Sequence, residues 1–209
     1  MSDFDDEEYE SFELDGADKP GNSGAALVEA DDDLDDDDDL DDADLEDAAE
    51  DEIDFVLAAY REDGQPYVQA LAKDLANDFD ELIVQLRRLP GDAGALGFVS
   101  LVEEVFVIVR VRGQHVQVLL SDGDAAADWP IARDVADYLG EEIPDDDDDD
   151  DGEPMGDLGM LADLGLSEFD LTAVIDNLDL SSDQMLIEVA DKLKLNPQFR
   201  KVAESVFRA

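Results

Sequence analysis

The sequence predicts an α+β protein, in which a small, mainly antiparallel sheet carries helices on one face and a short all-helical region follows. Three patterns support this prediction. Residues 105–120 contain two strand-like runs around a tight turn, residues 75–89 repeat large apolar side chains at helical spacing, and residues 158–209 contain three further helical stripes. The predicted regions are an acidic disordered tail over 1–52, an α+β domain over 53–140, an acidic linker over 141–157 and a helical C-terminal region over 158–209.

The first elements of the α+β domain are a hairpin and a helix. Residues 53–60 are rich in strand formers, and residues 66–71 can return as a second strand after a turn signal. Asp74 is the predicted cap of the helix, and Pro90 with Gly91 is expected to end it. Its apolar stripe comprises Leu75, Phe79, Leu82, Leu86 and Leu89.

The strongest strand signal lies between residues 98 and 120. Valine alternates with other side chains from 105 to 112, which is the period of two expected of a strand. Gly113-Gln114 then suits a two-residue hairpin turn, and residues 98–102 can supply a neighbouring strand. One face of the hairpin is wholly apolar, whereas the other is apolar at one end and basic near the turn. The turn predicts three cross-strand pairs, which are Arg112 with His115, Val111 with Val116 and Val109 with Val118.

A second helix is predicted to follow the hairpin. Pro130 fits its first turn, where a missing N–H costs nothing, and Asp124 or Asp128 can cap it. Ile131 and Val135 lie on one side of this helix, which faces the sheet. The resulting order is ββαβββα, and consecutive hairpins favour an antiparallel sheet.

The C-terminal region is helical by pattern. Ser167 and Ser181 each precede an apolar helical stripe, and Asn196-Pro197 precedes a third. A region of about 50 residues buries little surface by itself. We therefore expect it to pack on the α+β domain or on a partner.

The charge is extreme and unevenly distributed. The chain carries 61 acidic against 13 basic residues, which gives a formal net charge of −48. Residues 1–52 hold 26 of the acids and residues 141–157 hold 11, with Lys19 as the one basic residue in the two segments. Like charges at this density repel one another, and few apolar side chains are present to offset chain entropy. Both segments are therefore predicted to be extended and disordered.

This composition excludes several classes of site. No cysteine is present and His115 is the one histidine, so disulfides, thiolate metal sites and sites built on two histidines cannot form within the chain. The net charge disfavours direct binding to nucleic-acid phosphates or to an anionic membrane. The acidic N-terminus and the lack of an apolar run of membrane-spanning length predict a cytoplasmic protein.

Few residues match a catalytic or metal-binding pattern. Residues 147–152 match the start of an EF-hand loop, but Leu158 stands where a bidentate glutamate is needed. His115 lies at the hairpin turn and is interpreted as a surface residue, and Glu103-Glu104 is interpreted as a chance pair in an acidic chain. No catalytic residue, metal site or cofactor is predicted.

Four residues of the predicted α+β domain are candidate partner contacts, namely Arg110, Arg112, Trp129 and Arg133. Arg110 and Arg112 share a strand face, where they can bind a phosphate or the acidic tail, or form ordinary ion pairs. Trp129 can anchor a partner, or it can pack on the sheet at the start of the second helix.

Three segments of the chain are Phe106-Val107-Ile108-Val109-Arg110, Asp128-Trp129-Pro130-Ile131 and Gly156-Asp157-Leu158-Gly159-Met160. With their neighbours they resemble a known family, the actinobacterial proteins called tRNA adenosine deaminase-associated proteins. The resemblance covers residues 53–209 and does not depend on the N-terminal tail. It implies association with the deaminase, and it provides no catalytic residues to carry over. The zinc deaminases themselves need an H-x-E and a P-C-x-x-C motif, which this chain lacks.

Three hypotheses of function follow. The first is a non-catalytic accessory protein that docks on a protein partner, and the resemblance implies that this partner is the tRNA adenosine deaminase. The second is an acidic nucleic-acid mimic or chaperone that acts on a basic protein. The third is an enzyme that uses carboxylates alone, which no residue spacing supports. We adopt the first hypothesis.

Overall fold

An antiparallel sheet of six strands lies at the centre of the computed structural model, which describes residues 45–91, 93–143 and 152–207. Along the sheet the strand order is β2-β1-β3-β4-β5-β6, and every neighbouring pair is antiparallel. The predicted antiparallel α+β class is therefore confirmed. The strands are β1 (Ile53–Glu62), β2 (Gln65–Ala70), β3 (Ala95–Leu101), β4 (Val105–Arg112), β5 (His115–Leu120) and β6 (Met155–Gly156).

The first five strands and two helices follow one another in the predicted order ββαβββα. Strand β6 and three further helices come after them. The helices are α1 (Phe79–Arg87), α2 (Pro130–Leu139), α3 (Glu168–Ile175), α4 (Ser182–Lys192) and α5 (Gln198–Val206). None of the described helices combines the length and apolar character needed to cross a lipid bilayer.

Two of the predicted caps were wrong. Residues Lys73–Asn77 form a separate 3₁₀ turn, so α1 begins later and its cap is Asp78, whose Oδ1 accepts from Glu81 N at 2.8 Å. Asp124–Ala127 form a second 3₁₀ turn, which leaves Trp129 at the cap position of α2 with no side-chain hydrogen bond. In the C-terminal region Ser167 is the N-cap of α3, and its Oγ accepts from Asp170 N at 3.2 Å. Ser181 is at the N-cap position of α4 but makes no side-chain cap hydrogen bond.

Helices cover both faces of the sheet. On one face α1 and α2 pack on side chains such as Val107 and Val109, as the sequence predicted. On the other face α4 and α5 pack on side chains such as Phe98 and Ile108. The C-terminal region therefore packs on the sheet, which was one of the two alternatives that the sequence left open. Phe199 of α5 is central to this contact, with its ring centroid 5.1 Å from that of Phe98.

The folded part extends beyond the predicted limits of 53 and 140. Ala48 is buried, its N–H donates to Asn77 Oδ1 at 2.8 Å, and its carbonyl accepts from Asn77 Nδ2 at 3.0 Å. At the other end, β6 pairs with Leu119 and Leu120 although its residues belong to the predicted linker. The rest of the predicted tail, 1–44, and residues 144–151 of the predicted acidic linker lie outside the described residues.

Candidate functional site

The turn between β3 and β4 has an unusual backbone. Val102 and Glu103 both adopt left-handed conformations, with φ values of 47° and 59°, and Glu104 N donates to Leu101 O at 3.0 Å. Two successive left-handed residues are typical of a type I′ turn, which favours Asn and Gly. A β-branched residue such as Val102 is strained in this region, at a cost of about 1–3 kcal/mol. The surrounding structure must therefore hold the turn in place.

Buried polar groups hold this turn. Asp54 Oδ2 accepts from Ser100 Oγ at 2.7 Å and from Glu103 N at 2.8 Å, and the three groups link β1, β3 and the turn. In addition, Ser182 N at the start of α4 donates to Glu103 O at 2.9 Å. The hydroxyls of Ser182 and Ser100 are 2.7 Å apart. Since Asp54, Ser100 and Ser182 are all buried, these bonds form in a low-dielectric setting and fix the turn.

The fixed turn places Glu104 between two acidic grooves. We call the first the Trp129 groove. It has a volume of about 890 Å³, and neither Lys nor Arg is among the described residues that line it. Half-buried Trp129 forms part of its wall, packed against the core on one side. Its acidic lining residues are Glu46, Asp47, Glu52, Glu104 and Asp128.

We call the second the α3 groove, which has a volume of about 720 Å³. Glu104 lines this groove as well, so the two grooves adjoin at the β3–β4 turn. Leu178, just after α3, is 83% exposed at its edge. The apolar residues that line the α3 groove are Pro154, Leu158, Ile175, Leu178 and Met185, and the acidic ones are Glu104, Asp122, Glu153 and Asp176.

The structure places two of the four predicted partner contacts around one carboxylate. Arg110 is 2% exposed, and its Nη1 and Nη2 donate to Asp163 Oδ1 and Oδ2 at 2.5 and 2.8 Å. Its Nη1 also donates to Met160 O at 2.5 Å. Arg112 remains half exposed, with Nη1 3.6 Å from Asp163 Oδ2. Arg110 is therefore held inside the protein rather than displayed to a partner, because the C-terminal region covers its face of the sheet.

The other two predicted contacts lie on or near α2. Trp129 packs on the core at the start of α2, which is one of the two alternatives, and it also lines the Trp129 groove. Arg133 is half buried, and its Nε donates to Ala126 O at 3.3 Å. For Arg112, Trp129 and Arg133, contact with a partner stays a prediction. Sequence reasoning missed Glu104, which it had treated as one of a chance pair.

Within the part of the chain that the structure describes, two titratable groups have clearly shifted pKa values. The hydrogen bond from Arg110 lowers the pKa of Asp163, and the nearby charges of Arg110 and Arg112 act in the same direction. Burial of its carboxyl raises the pKa of Asp134 on α2, and the charges of Asp137, Asp80 and Asp78 add to this effect. Among the described residues no cluster of three or more His, Cys, Asp or Glu side chains is arranged to hold a metal ion.

Comparison with known proteins gives two findings. A profile of the family described as Rv3753c-like tRNA adenosine deaminase-associated protein matches residues 54–196. Protein Rv3753c of Mycobacterium tuberculosis is 33% identical over 155 residues, which cover 74% of this chain and 90% of that protein. No solved structure matches the chain. The family match covers the β3–β4 turn, Trp129 and α3, so it includes both grooves except for residues 45–53.

Proposed function

We propose that this chain, which belongs to the Rv3753c-like tRNA adenosine deaminase-associated protein family, is a non-catalytic accessory protein that docks on a basic surface of the deaminase. The family description supplies the expected partner. The chain's own residues indicate the kind of contact, which is acidic with one partly exposed aromatic face.

The acidic Trp129 groove is the observation that carries this proposal. An enzyme that binds tRNA must present Lys and Arg side chains to the phosphates. Five acidic side chains around a half-buried tryptophan complement such a surface in charge. The indole adds an apolar contact and a face on which a cationic side chain can stack.

The proposal assigns the chemistry to the partner. Zinc deaminases bind their metal with histidine and cysteine and use a glutamate as general acid and base. This chain has one histidine and no cysteine. Its contribution is therefore binding, which can position the deaminase or compete with RNA for the same basic surface.

The second candidate, an acidic mimic or chaperone for unrelated basic proteins, is favoured by the distribution of charge. Residues 1–52 and 141–157 together hold 37 of the 61 acidic residues. Binding through these segments would depend on charge number rather than on one groove, and the two candidates can be separated on that basis.

The test measures the affinity of the full chain for the purified deaminase of the same organism, by calorimetry in the presence of RNase. The groove variant carries Glu46→Gln, Asp47→Asn and Asp128→Asn. The control variant carries Glu62→Gln, Glu141→Gln and Asp191→Asn, which are exposed and line neither groove. Both variants lose three negative charges.

The accessory proposal predicts that the groove variant binds at least about tenfold more weakly, whereas the control stays within about threefold of the wild type. Equal weakening of both variants would favour the mimic, because only the total charge would then matter. Failure of the wild-type chain to bind the deaminase would overturn the proposal.

A further inference from the structure

The α3 groove includes an apolar side chain that the described residues leave largely exposed. Leu178 is 83% exposed and Phe169 is 82% exposed, whereas most large apolar side chains of the described residues are buried. Phe169 lies on α3 three residues before Thr172, which lines the groove, so both lie on the same side of the helix. Leu178 therefore offers an exposed apolar side chain in the groove lining, and Phe169 lies on the side of α3 that contributes Thr172 to the same lining.

The floor of this groove is well fixed. Leu158 and Ile175 pack against the core that lies between the sheet and the C-terminal helices, and Met185 of α4 is itself 8% exposed. The start of α4 is held by the bond from Ser182 N to Glu103 O. The groove is therefore a formed surface into which apolar side chains can insert, and methionine adapts its shape to them.

The rim of the groove is acidic. Glu104, Asp122, Glu153 and Asp176 line it, and no Lys or Arg is among the described residues that do so. A segment that fills the groove must therefore combine apolar side chains for the floor with basic side chains for the rim.

This requirement disfavours two occupants, namely the N-terminal segment of the same chain and a second copy of the chain. Residues 1–52 contain isolated aromatics, but they also contain 26 acids against one lysine. A second copy of the chain brings a net charge of −48. Both would be repelled by four carboxylates at the rim.

We infer that the α3 groove binds a basic amphipathic segment of a partner protein, with the apolar side of the segment on Leu178 and Phe169 and its Lys and Arg side chains at the acidic rim. The inference rests on the proposed function only in taking that partner to be the deaminase. Because Glu104 lines both grooves, the segment would extend the contact made at the Trp129 groove.

The test uses a synthetic helical peptide of leucine and lysine with its leucines on one side, and a scrambled peptide of the same composition. Binding to the full chain is measured by fluorescence anisotropy at about 0.15 M salt and above, where non-specific attraction is screened. The variants are Leu178→Ser and Phe169→Ser, whose parent side chains are too exposed to support the fold. Tyr67→Ser is the control, because Tyr67 is 44% exposed on β2 and lines neither groove.

We expect the amphipathic peptide to bind at least about tenfold more tightly than the scrambled one. Leu178→Ser and Phe169→Ser should each remove most of that difference. Tyr67→Ser should preserve it. Equal binding of the two peptides, or a difference that Leu178→Ser leaves unchanged, would overturn the inference.

The same variants separate this inference from the proposed function. If the deaminase binds wild type and Leu178→Ser equally, and the peptide shows no dependence on Leu178, the groove inference fails and the proposed function stands. If the peptide binds in a Leu178-dependent way and the deaminase does not bind at all, the groove stands and the proposed partner falls.

Discussion

Arg110 of β4 and Asp163 of the C-terminal region form a two-bond ion pair, with Nη1–Oδ1 and Nη2–Oδ2 distances of 2.5 and 2.8 Å. The arginine side chain is 2% exposed and the aspartate side chain 54%. The pair therefore joins a buried cation to a carboxylate that water still reaches. It ties the sheet to the segment that precedes α3, on the face that α4 and α5 cover.

Replacing Asp163 with asparagine should destabilise the protein, because it leaves the buried guanidinium without its negative partner. We expect the free energy of unfolding to fall by about 2 kcal/mol, below the value for fully buried pairs because Asp163 is half exposed. Urea unfolding at pH 7 measures the loss. Asp179→Asn is the control, since Asp179 is exposed and the same charge is removed. Equal stability of the two variants would show that the pair contributes nothing.

The same pair predicts a dependence on pH. Arg110 holds the pKa of Asp163 below its usual value, so the pair contributes fully above the pKa of the unfolded state, about 3.9, and its contribution is lost as the pH falls through the folded value. The difference in unfolding free energy between wild type and Asp163→Asn should therefore be constant above about pH 5 and shrink below about pH 4. Urea titrations at several pH values measure this difference. A difference that persists unchanged at pH 2–3 would be inconsistent with this linkage.

Glu103→Gly should stabilise the protein. Glycine adopts the left-handed conformation of residue 103 without the cost that a side chain brings, and the gain exceeds the added entropy of the unfolded chain by about 0.5–1 kcal/mol. Thermal unfolding measures the change. Glu104→Gly is the matched control in the same turn, because residue 104 does not have a positive φ and should gain nothing. A loss of stability in Glu103→Gly would mean that the turn is not strained there.

Phe199→Ala should destabilise the protein by about 3–5 kcal/mol, because it leaves a cavity where α5 packs on the sheet. The Phe199 ring lies 5.9 Å from Phe55 and 5.1 Å from Phe98, and the side chain is fully buried. Phe169→Ala removes the same atoms from an exposed position and should change stability by less than about 0.5 kcal/mol. Similar losses for both variants in urea unfolding would contradict the docked arrangement of the C-terminal helices.

The hairpin of β4 and β5 was predictable from the sequence residue by residue. All three predicted pairs are present, including Arg112 with His115 and Val109 with Val118. The alternation of valines and the Gly113-Gln114 loop left one register that buries the apolar faces. Local patterns of this kind need no knowledge of distant residues.

The missed features all depend on distant residues. Asp163 lies 53 positions from Arg110, and no spacing in the sequence connects them. Asp54 and Ser100 give a signal in retrospect, since each is a polar residue inside an apolar strand and thus needs a buried partner. Asp54 and Ser100 bond to each other, and Ser182, the further partner of Ser100, comes within reach only when α4 docks on the turn. The role of Glu104 follows from this docking and could not be predicted before it.

The central claim is that the surface around Glu104 binds a basic protein partner. The most direct measurement compares the affinities of Glu104→Lys and Glu103→Lys for the purified deaminase, because the two variants make the same charge change at neighbouring positions and residue 103 lines neither groove. We predict that Glu104→Lys weakens binding by at least about tenfold and that Glu103→Lys stays within about threefold of the wild type. Equal affinity of the two variants would contradict the claim.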